Sequence, residues 1–113
     1  MIFNDPDHVY RCVPPVLGNN KLEKPFVIGL LNVRPNDLQR QVLEQQGLDP
    51  AALAKMDKEF IEKHIKFIES PPVGAHAITT WDDVLQYLPT EISQWVKQAI
   101  YSRYALSEAE RKN

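Results

Sequence analysis

The residues of this chain best suited to metal binding are three histidines and one cysteine, and their spacing matches no known ligand set. His8 and Cys12 fall on a proline-flanked extended segment, whereas a predicted loop separates His64 from His76. Structural zinc sites need about four closely grouped ligands, so the sequence predicts no metal and no other cofactor. His64 falls on the apolar face of a predicted helix. A histidine with one hydrogen-bonded ring nitrogen is favoured there over a ligand or general base.

Two pairs of carboxylates have the residue types that share a proton or a metal ion in catalytic sites. They are Asp5 with Asp7 and Asp82 with Asp83. The second pair, however, falls at a predicted helix start, where negative charge is favoured, and adjacent helical positions point in different directions. The sequence also lacks the signatures of activated nucleophiles, phosphate loops and calcium loops. We therefore predict that the protein is not an enzyme.

Length and composition predict one globular domain covering residues 1–113. A hydrophobic fraction of 43% with 25% charged residues is typical of folded, water-soluble chains. The formal net charge of −2 gives no basic surface for nucleic acid, and no stretch is long and apolar enough to cross a membrane. The single cysteine, Cys12, cannot form an internal disulfide, which favours an intracellular location. Neither nucleic acid nor membrane is an expected partner.

The elements that must position these side chains differ between the two parts of the chain. Residues 1–35 are predicted to form a strand-rich arm, because prolines, glycines and β-branched or aromatic residues are frequent there. The stretch VPPVLGNNKLEKPFVIGLLNV is predicted to form two extended segments around a polar, mobile tip at 18–24. The prolines favour positions at the edges of a sheet.

Residues 36–113 are predicted to be helical, with one loop at 70–79. The first helix is expected at 37–46, with Asn36 as its N-cap and Gln39 completing a capping box. The predicted fold class is therefore α+β and mostly α. It consists of an N-terminal β-hairpin-like arm followed by four or five short helices around one small core.

The second predicted helix contains a charged residue on its apolar face. It begins after Asp49, a strong N-cap before proline, and extends to about residue 69. We expect the helix to break at Asp57, and a paired, buried carboxylate is the alternative. On the opposite face, Lys58 and Glu62 are spaced for a weak ion pair, which predicts a solvated surface.

Two further helices are predicted after the loop, and they contain both tryptophans. Thr80 is expected to cap a helix at 81–88, and an amphipathic helix follows Pro89. Trp81 and Trp95 fall on the apolar faces of these helices, so both are predicted to lie in the core. The apolar stripes contain the residues Val84, Leu85 and Leu88 in one helix and Ile92, Val96, Ala99, Ile100 and Tyr104 in the other. A separate closing turn, LSEAERKN, is expected to start at Ser107 with a capping box to Glu110.

Two tyrosines are the candidate partner-binding residues. Tyr87 and Tyr101 fall off the apolar stripes of their helices, so both are predicted to be exposed. Exposed tyrosines combine an apolar ring with a polar tip and are enriched at protein interfaces. A lone surface aromatic without a function is the alternative for each of them.

Four segments of the chain resemble the tail assembly chaperones of long-tailed bacteriophages. They are FVIGLLNVRPNDLQRQVLEQQ, KEFIEKHIKFIE, TTWDDVLQYLPTEISQWVKQAI and LSEAERKN, and they lie between Phe26 and Asn113. The resemblance implies a small, mostly helical protein that keeps the phage tape-measure protein soluble and recruits tail-tube subunits. It also implies a location in the host cell cytoplasm and absence from the finished virion. Because the family has no catalytic residues, none is carried over to this chain.

Two other classes of function are compatible with the same features. One is a small phage head or tail completion protein, which would stay in the particle. The other is a cellular adaptor that binds protein partners in a helical groove. A tape-measure gene next to the gene for this protein would favour the chaperone.

Overall fold

A three-stranded antiparallel sheet lies beside the helices. The computed structural model describes residues 8–112, with the backbone alone for 103–112. Within this range the strands are β1 (Val9–Cys12), β2 (Val27–Leu31) and β3 (Ile65–Glu69), in the spatial order β1-β2-β3. The predicted antiparallel pairing is present between β1 and β2, but β1 lies before the first extended segment that was predicted, which begins at Val13 and forms no strand. The predicted α+β class, with its N-terminal sheet and following helices, is confirmed.

The sheet differs from the prediction in two ways. Residues 65–69 form β3 and not the end of a helix, because the turn at His64 ends the helix and β2 offers a free edge. Short apolar runs such as IKFIE fit a helix or a strand equally well until tertiary pairing decides. β1 lies at an edge of the sheet, but β2 is its central strand, so the expectation of an edge position was wrong for β2. The prolines at 14, 15 and 25 all lie outside the strands and remove no ladder hydrogen bond.

A close contact between β2 and β3 explains the glycine in the central strand. Gly29 pairs with Phe67, and a Cβ atom added at Gly29 would lie 2.2 Å from Cε1 of the Phe67 ring. The register shifts immediately afterwards, because Leu30 pairs with Ile65 and leaves Lys66 as the extra residue of a β-bulge. The glycine therefore provides the space in which the aromatic ring covers the sheet.

The connection between β1 and β2 is anchored and not merely a polar tip. It contains a short 3₁₀ segment, Val16–Lys21, in which Asn19 is buried. The Asn19 side-chain amide donates to the carbonyls of Pro14 (2.8 Å) and Phe26 (3.0 Å), and its oxygen accepts from the Phe26 N–H (2.8 Å). These bonds hold both ends of the connection together. Leu17, two residues before Asn19 in the chain, is exposed and has a positive φ of 54°.

Four α-helices complete the described fold: α1 (Pro35–Gln45), α2 (Pro50–Lys63), α3 (Trp81–Tyr87) and α4 (Thr90–Lys112). The predicted cap of α1 is wrong, because proline occupies the first turn and the N-cap is Arg34, without a side-chain bond. Asn36 and Gln39 therefore lie inside the helix. The helix ends before Gly47, whose φ is 80°.

The caps of α2 and α3 agree with the sequence. Asp49 accepts a hydrogen bond from the N–H of Ala52 at 2.8 Å. Thr80 and Asp83 form a reciprocal capping box at the start of α3. The loop between β3 and α3 is present as predicted and contains one isolated bridge, Val73 with His76.

The last helix is longer than predicted, since α4 continues without interruption to Lys112 and no separate turn begins at Ser107. The side chains of Tyr104, Ser107 and Glu110 lie outside the described side chains.

The core lies between the sheet and the helices. Its buried members come from β2, α2, α3, α4 and the segments that flank them: Phe26, Ile28, Leu30, Val33, Phe60, Ile61, Ile78, Trp81, Val84, Ile92, Val96, Ala99 and Ile100. The prediction for Trp81 is confirmed, because its side chain is buried. Trp95 is only partly buried and packs at the border of the core, and Leu85 is 49% exposed. The predicted apolar stripes were therefore too wide at both positions.

Candidate partner-binding groove

An open groove of about 790 Å³ lies between α2 on one side and α3 and α4 on the other. We call it the α2–α4 groove. Its apolar lining residues are Pro50, Leu53, Ala54, Ile61, Trp81 and Leu85. Its polar lining residues are Gln45, Asp57, Lys58, Ser93, Gln94, Lys97 and Tyr101.

The apolar part of the groove combines a buried base with exposed sides. Trp81 and Ile61 belong to the core, so their contact with the groove rests on a fixed surface. Leu53 and Leu85 are 38% and 49% exposed and line the groove from α2 and α3. Burying such apolar surface is favourable by about 25 cal/mol per Å². The groove therefore offers a partner more binding free energy than a uniformly polar surface would.

Asp57 does not break α2, so the expected break was wrong and the alternative of a paired carboxylate is confirmed. Its carboxylate accepts a hydrogen bond from the hydroxyl of Tyr101 at 2.5 Å. The other oxygen forms an ion pair with Lys97 at 3.2 Å. Both partners lie on α4, and they satisfy a charge that the apolar face of a helix would otherwise leave unpaired. The pair thus joins α2 to α4 at the polar side of the groove.

Tyr101 is not the exposed residue that the sequence predicts. Its side chain is partly buried, and its ring lies 5.2 Å from that of Phe60. The side-chain amides of Gln41 and Gln45 donate to the hydroxyl at 3.4 and 3.2 Å, which adds α1 to the network. Burial, followed by the hydrogen bond to Asp57, raises the pKa of Tyr101. This tyrosine therefore connects three helices and also lines the groove.

A second ion pair joins the two sides of the groove. The ammonium group of Lys58 on α2 lies 2.8 Å from the carboxylate of Asp82 on α3. The hydrogen bond to Asp82 is the main reason that the pKa of Lys58 is raised. Helical spacing predicted Glu62 as the partner of Lys58, but the approach of α3 supplies a closer carboxylate. Lys58 consequently belongs to the groove and not to a merely solvated face.

Tyr87 lies apart from Tyr101 and does not line the groove. It is partly buried, and its ring stacks on that of His76 with 4.3 Å between centroids and an interplanar angle of 14°. The structure therefore does not bring the two candidate tyrosines together. The partner-binding role predicted for Tyr87 concerns a separate surface, at the loop before α3.

The side chains considered for metal binding or catalysis have structural contacts. His64 is buried, and Nδ1 lies 2.8 Å from the Phe60 carbonyl, as predicted for a core histidine; burial lowers its pKa. Asp83 accepts from the backbone N–H groups of Thr79 and Thr80, which lower its pKa. Asp5 and Asp7 lie outside the described residues. Within the part of the chain that the structure describes, no three His, Cys, Asp or Glu residues are grouped closely enough to hold a metal ion.

None of the helices in the described range is both long enough and apolar enough to span a membrane.

A comparison of the chain with protein-family models, curated proteins and solved structures found no match. The groove itself was missed in the sequence, although each of its apolar residues falls on a predicted helix. One signal was available in Leu85, which falls at the edge of the apolar stripe of its helix and not at its centre, whereas Leu53 lies near the centre of its stripe. Residues at the edge of a stripe are the ones that a neighbouring helix leaves partly exposed.

Proposed function

We propose that this protein is a non-enzymatic tail assembly chaperone of a long-tailed bacteriophage. In this proposal it binds the tape-measure protein and tail-tube subunits during tail assembly, acts in the host cell cytoplasm, and is absent from the finished virion. The four chain segments that resemble the family suggest the clients. The observation that carries the binding function is the α2–α4 groove, whose lining includes the exposed Leu53 and Leu85 together with the buried Trp81.

The groove suits an amphipathic helix of the tape-measure protein. Such a helix places apolar residues at positions i, i+3, i+4 and i+7 along one face, and a groove between helices receives them side by side. A volume of about 790 Å³ accommodates several such side chains. The base is already packed in the core, so binding requires little reorganisation, which favours affinity.

Co-purification tests the proposal directly. The protein is co-expressed with a fragment of the tape-measure protein of the same phage, and the complex is quantified after affinity capture. Leu85→Asp and Leu53→Asp each place a charge in the apolar part of the groove and are expected to weaken binding at least about tenfold. Val42→Asp is the matched control, because Val42 is 47% exposed on α1 and does not line the groove.

Three outcomes separate the possibilities. Loss of the complex in both groove variants, but not in the control, supports the proposal. Equal capture of all variants places the client on another surface, such as that of Tyr87. Failure of the native chain to capture any fragment, together with its presence in purified virions, would instead favour the head or tail completion protein.

A further inference from the structure

The positively and negatively charged side chains that line the α2–α4 groove differ in their exposure to solvent. Lys58 extends from α2 and Lys97 from α4, so the two opposite sides of the groove each carry one lysine. The side chains of these lysines are 41% and 53% exposed. Among the described residues that line the groove, Asp57 is the one carboxylate, and its side chain is only 19% exposed.

The carboxylate of Asp57 is poorly accessible to a partner, because it is largely covered and each of its oxygens already has a contact. One oxygen accepts from the Tyr101 hydroxyl, and the other contacts the Lys97 ammonium group. An ammonium group has three donors, so each lysine retains donors beyond its single carboxylate partner. Asp82, the partner of Lys58, is 63% exposed but lies outside the lining. Among the charged side chains of the lining, a ligand in the groove therefore meets two accessible lysines and one largely covered carboxylate.

From this arrangement we propose that the groove selects an acidic amphipathic helix, whose apolar stripe is flanked by carboxylates on both sides. The apolar stripe contacts Leu53, Trp81 and Leu85, while one row of carboxylates reaches Lys58 and the opposite row reaches Lys97. A helix with lysines in the flanking rows would bring like charges together on both sides. This inference rests on the proposed function of the groove and specifies the chemistry of its client.

Two synthetic peptides of equal length test this selectivity. Both carry leucines at positions i, i+3, i+4 and i+7; one has glutamates in the two flanking rows and the other has lysines. Their affinities for the full chain are measured by fluorescence anisotropy. The glutamate peptide is expected to bind at least about tenfold more tightly. Because the contacts are partly exposed ion pairs, this preference should decrease in about 0.5 M salt.

Variants of the protein show whether the two lysines cause the preference. The double substitution Lys58→Gln and Lys97→Gln should reduce the ratio of the two affinities to less than about threefold. Replacing both lysines by arginine should retain the preference, since the positive charges remain. Lys55→Gln is the matched control, because Lys55 is an exposed lysine of α2 that does not line the groove. Thermal melts of each variant verify that the fold is retained.

Different experimental results would contradict the charge selectivity and the helix-binding role of the groove. Equal binding of both peptides, or tighter binding of the lysine peptide, would overturn the charge selectivity and leave the groove as a helix-binding site. A preference that survives the double glutamine substitution would assign it to other residues and likewise overturn the inference. If neither peptide binds, or if Leu85→Asp leaves binding unchanged, the groove is not the helix-binding site and both proposals fall.

Discussion

The substitution Tyr101→Phe removes one hydroxyl group from the junction of α1, α2 and α4, and it isolates the contribution of the network around Asp57. The ring and its contact with Phe60 are retained. The substitution removes one hydrogen bond that the hydroxyl donates to a carboxylate and two that it accepts from glutamine amides. Since Asp57 keeps its ion pair with Lys97, the carboxylate is not left without a partner.

The expected loss of unfolding free energy follows from these contacts. A hydrogen bond to a charged group contributes about 1.5–3 kcal/mol. The groove admits water, which can replace part of the lost hydrogen bonding. We therefore expect a loss of about 1–2 kcal/mol and a decrease in the thermal midpoint of roughly 3–10 °C. Tyr101→Ala should cost more, because it also removes the ring from beside Phe60.

The pH dependence provides a second readout of the same network. The folded state raises the pKa of Tyr101 above its ordinary value of 10.0. The associated stability is fully present below about pH 10 and is lost as the pH rises through the raised pKa of the folded state. The difference in stability between the native protein and Tyr101→Phe should therefore narrow above pH 10.

Urea unfolding followed by tryptophan fluorescence at pH 7 and at pH 10.5 measures both effects. A double-mutant cycle with Asp57→Asn isolates the coupling between the hydroxyl and the carboxylate. A cost below about 0.3 kcal/mol at pH 7, or a coupling energy near zero, would refute the assignment of Tyr101 as a stabilising link between helices.

Three further predictions concern the core, the connection between β1 and β2, and the buried histidine. Trp81→Ala should cost about 3–5 kcal/mol in urea unfolding, and Trp95→Ala less, because only the first indole is fully enclosed; the reverse order would contradict the packing described. Asn19→Ala should cost about 2 kcal/mol or more and speed amide exchange across 16–24, whereas exposed Asn20→Ala should change stability by less than about 0.5 kcal/mol. Because burial lowers the pKa of His64 below 6.5, the unfolded chain binds more protons in acid, and stability should fall as pH decreases from 6.5 through the lowered folded-state pKa. Unfolding curves for His64→Gln between pH 7 and pH 5 should show a shallower decrease than those of the native protein.

The sequence by itself determined the features that depend on neighbouring residues. Asp49 and Thr80 cap helices through bonds to amides three residues ahead, and such contacts need no distant partner. Gly47 has the positive φ required by the turn that follows the first helix, where its type favours the end of that helix. The second strand was also predictable, because the β-branched residues Val27 and Ile28 favour an extended conformation there.

Tertiary structure decided the features that depend on contacts between distant segments. Residues 65–69 pair with β2 some 40 positions earlier, and this pairing converts a predicted helix end into a strand. The hydroxyl of Tyr101 reaches Asp57 across 44 positions, which allows α2 to continue through a carboxylate and draws the tyrosine out of solvent. Lys58 likewise exchanges a partner one helical turn away for Asp82 on another helix. In each case the neighbouring residues in the sequence were compatible with two local structures of similar free energy. A contact between residues that are distant in the chain stabilised one of the two.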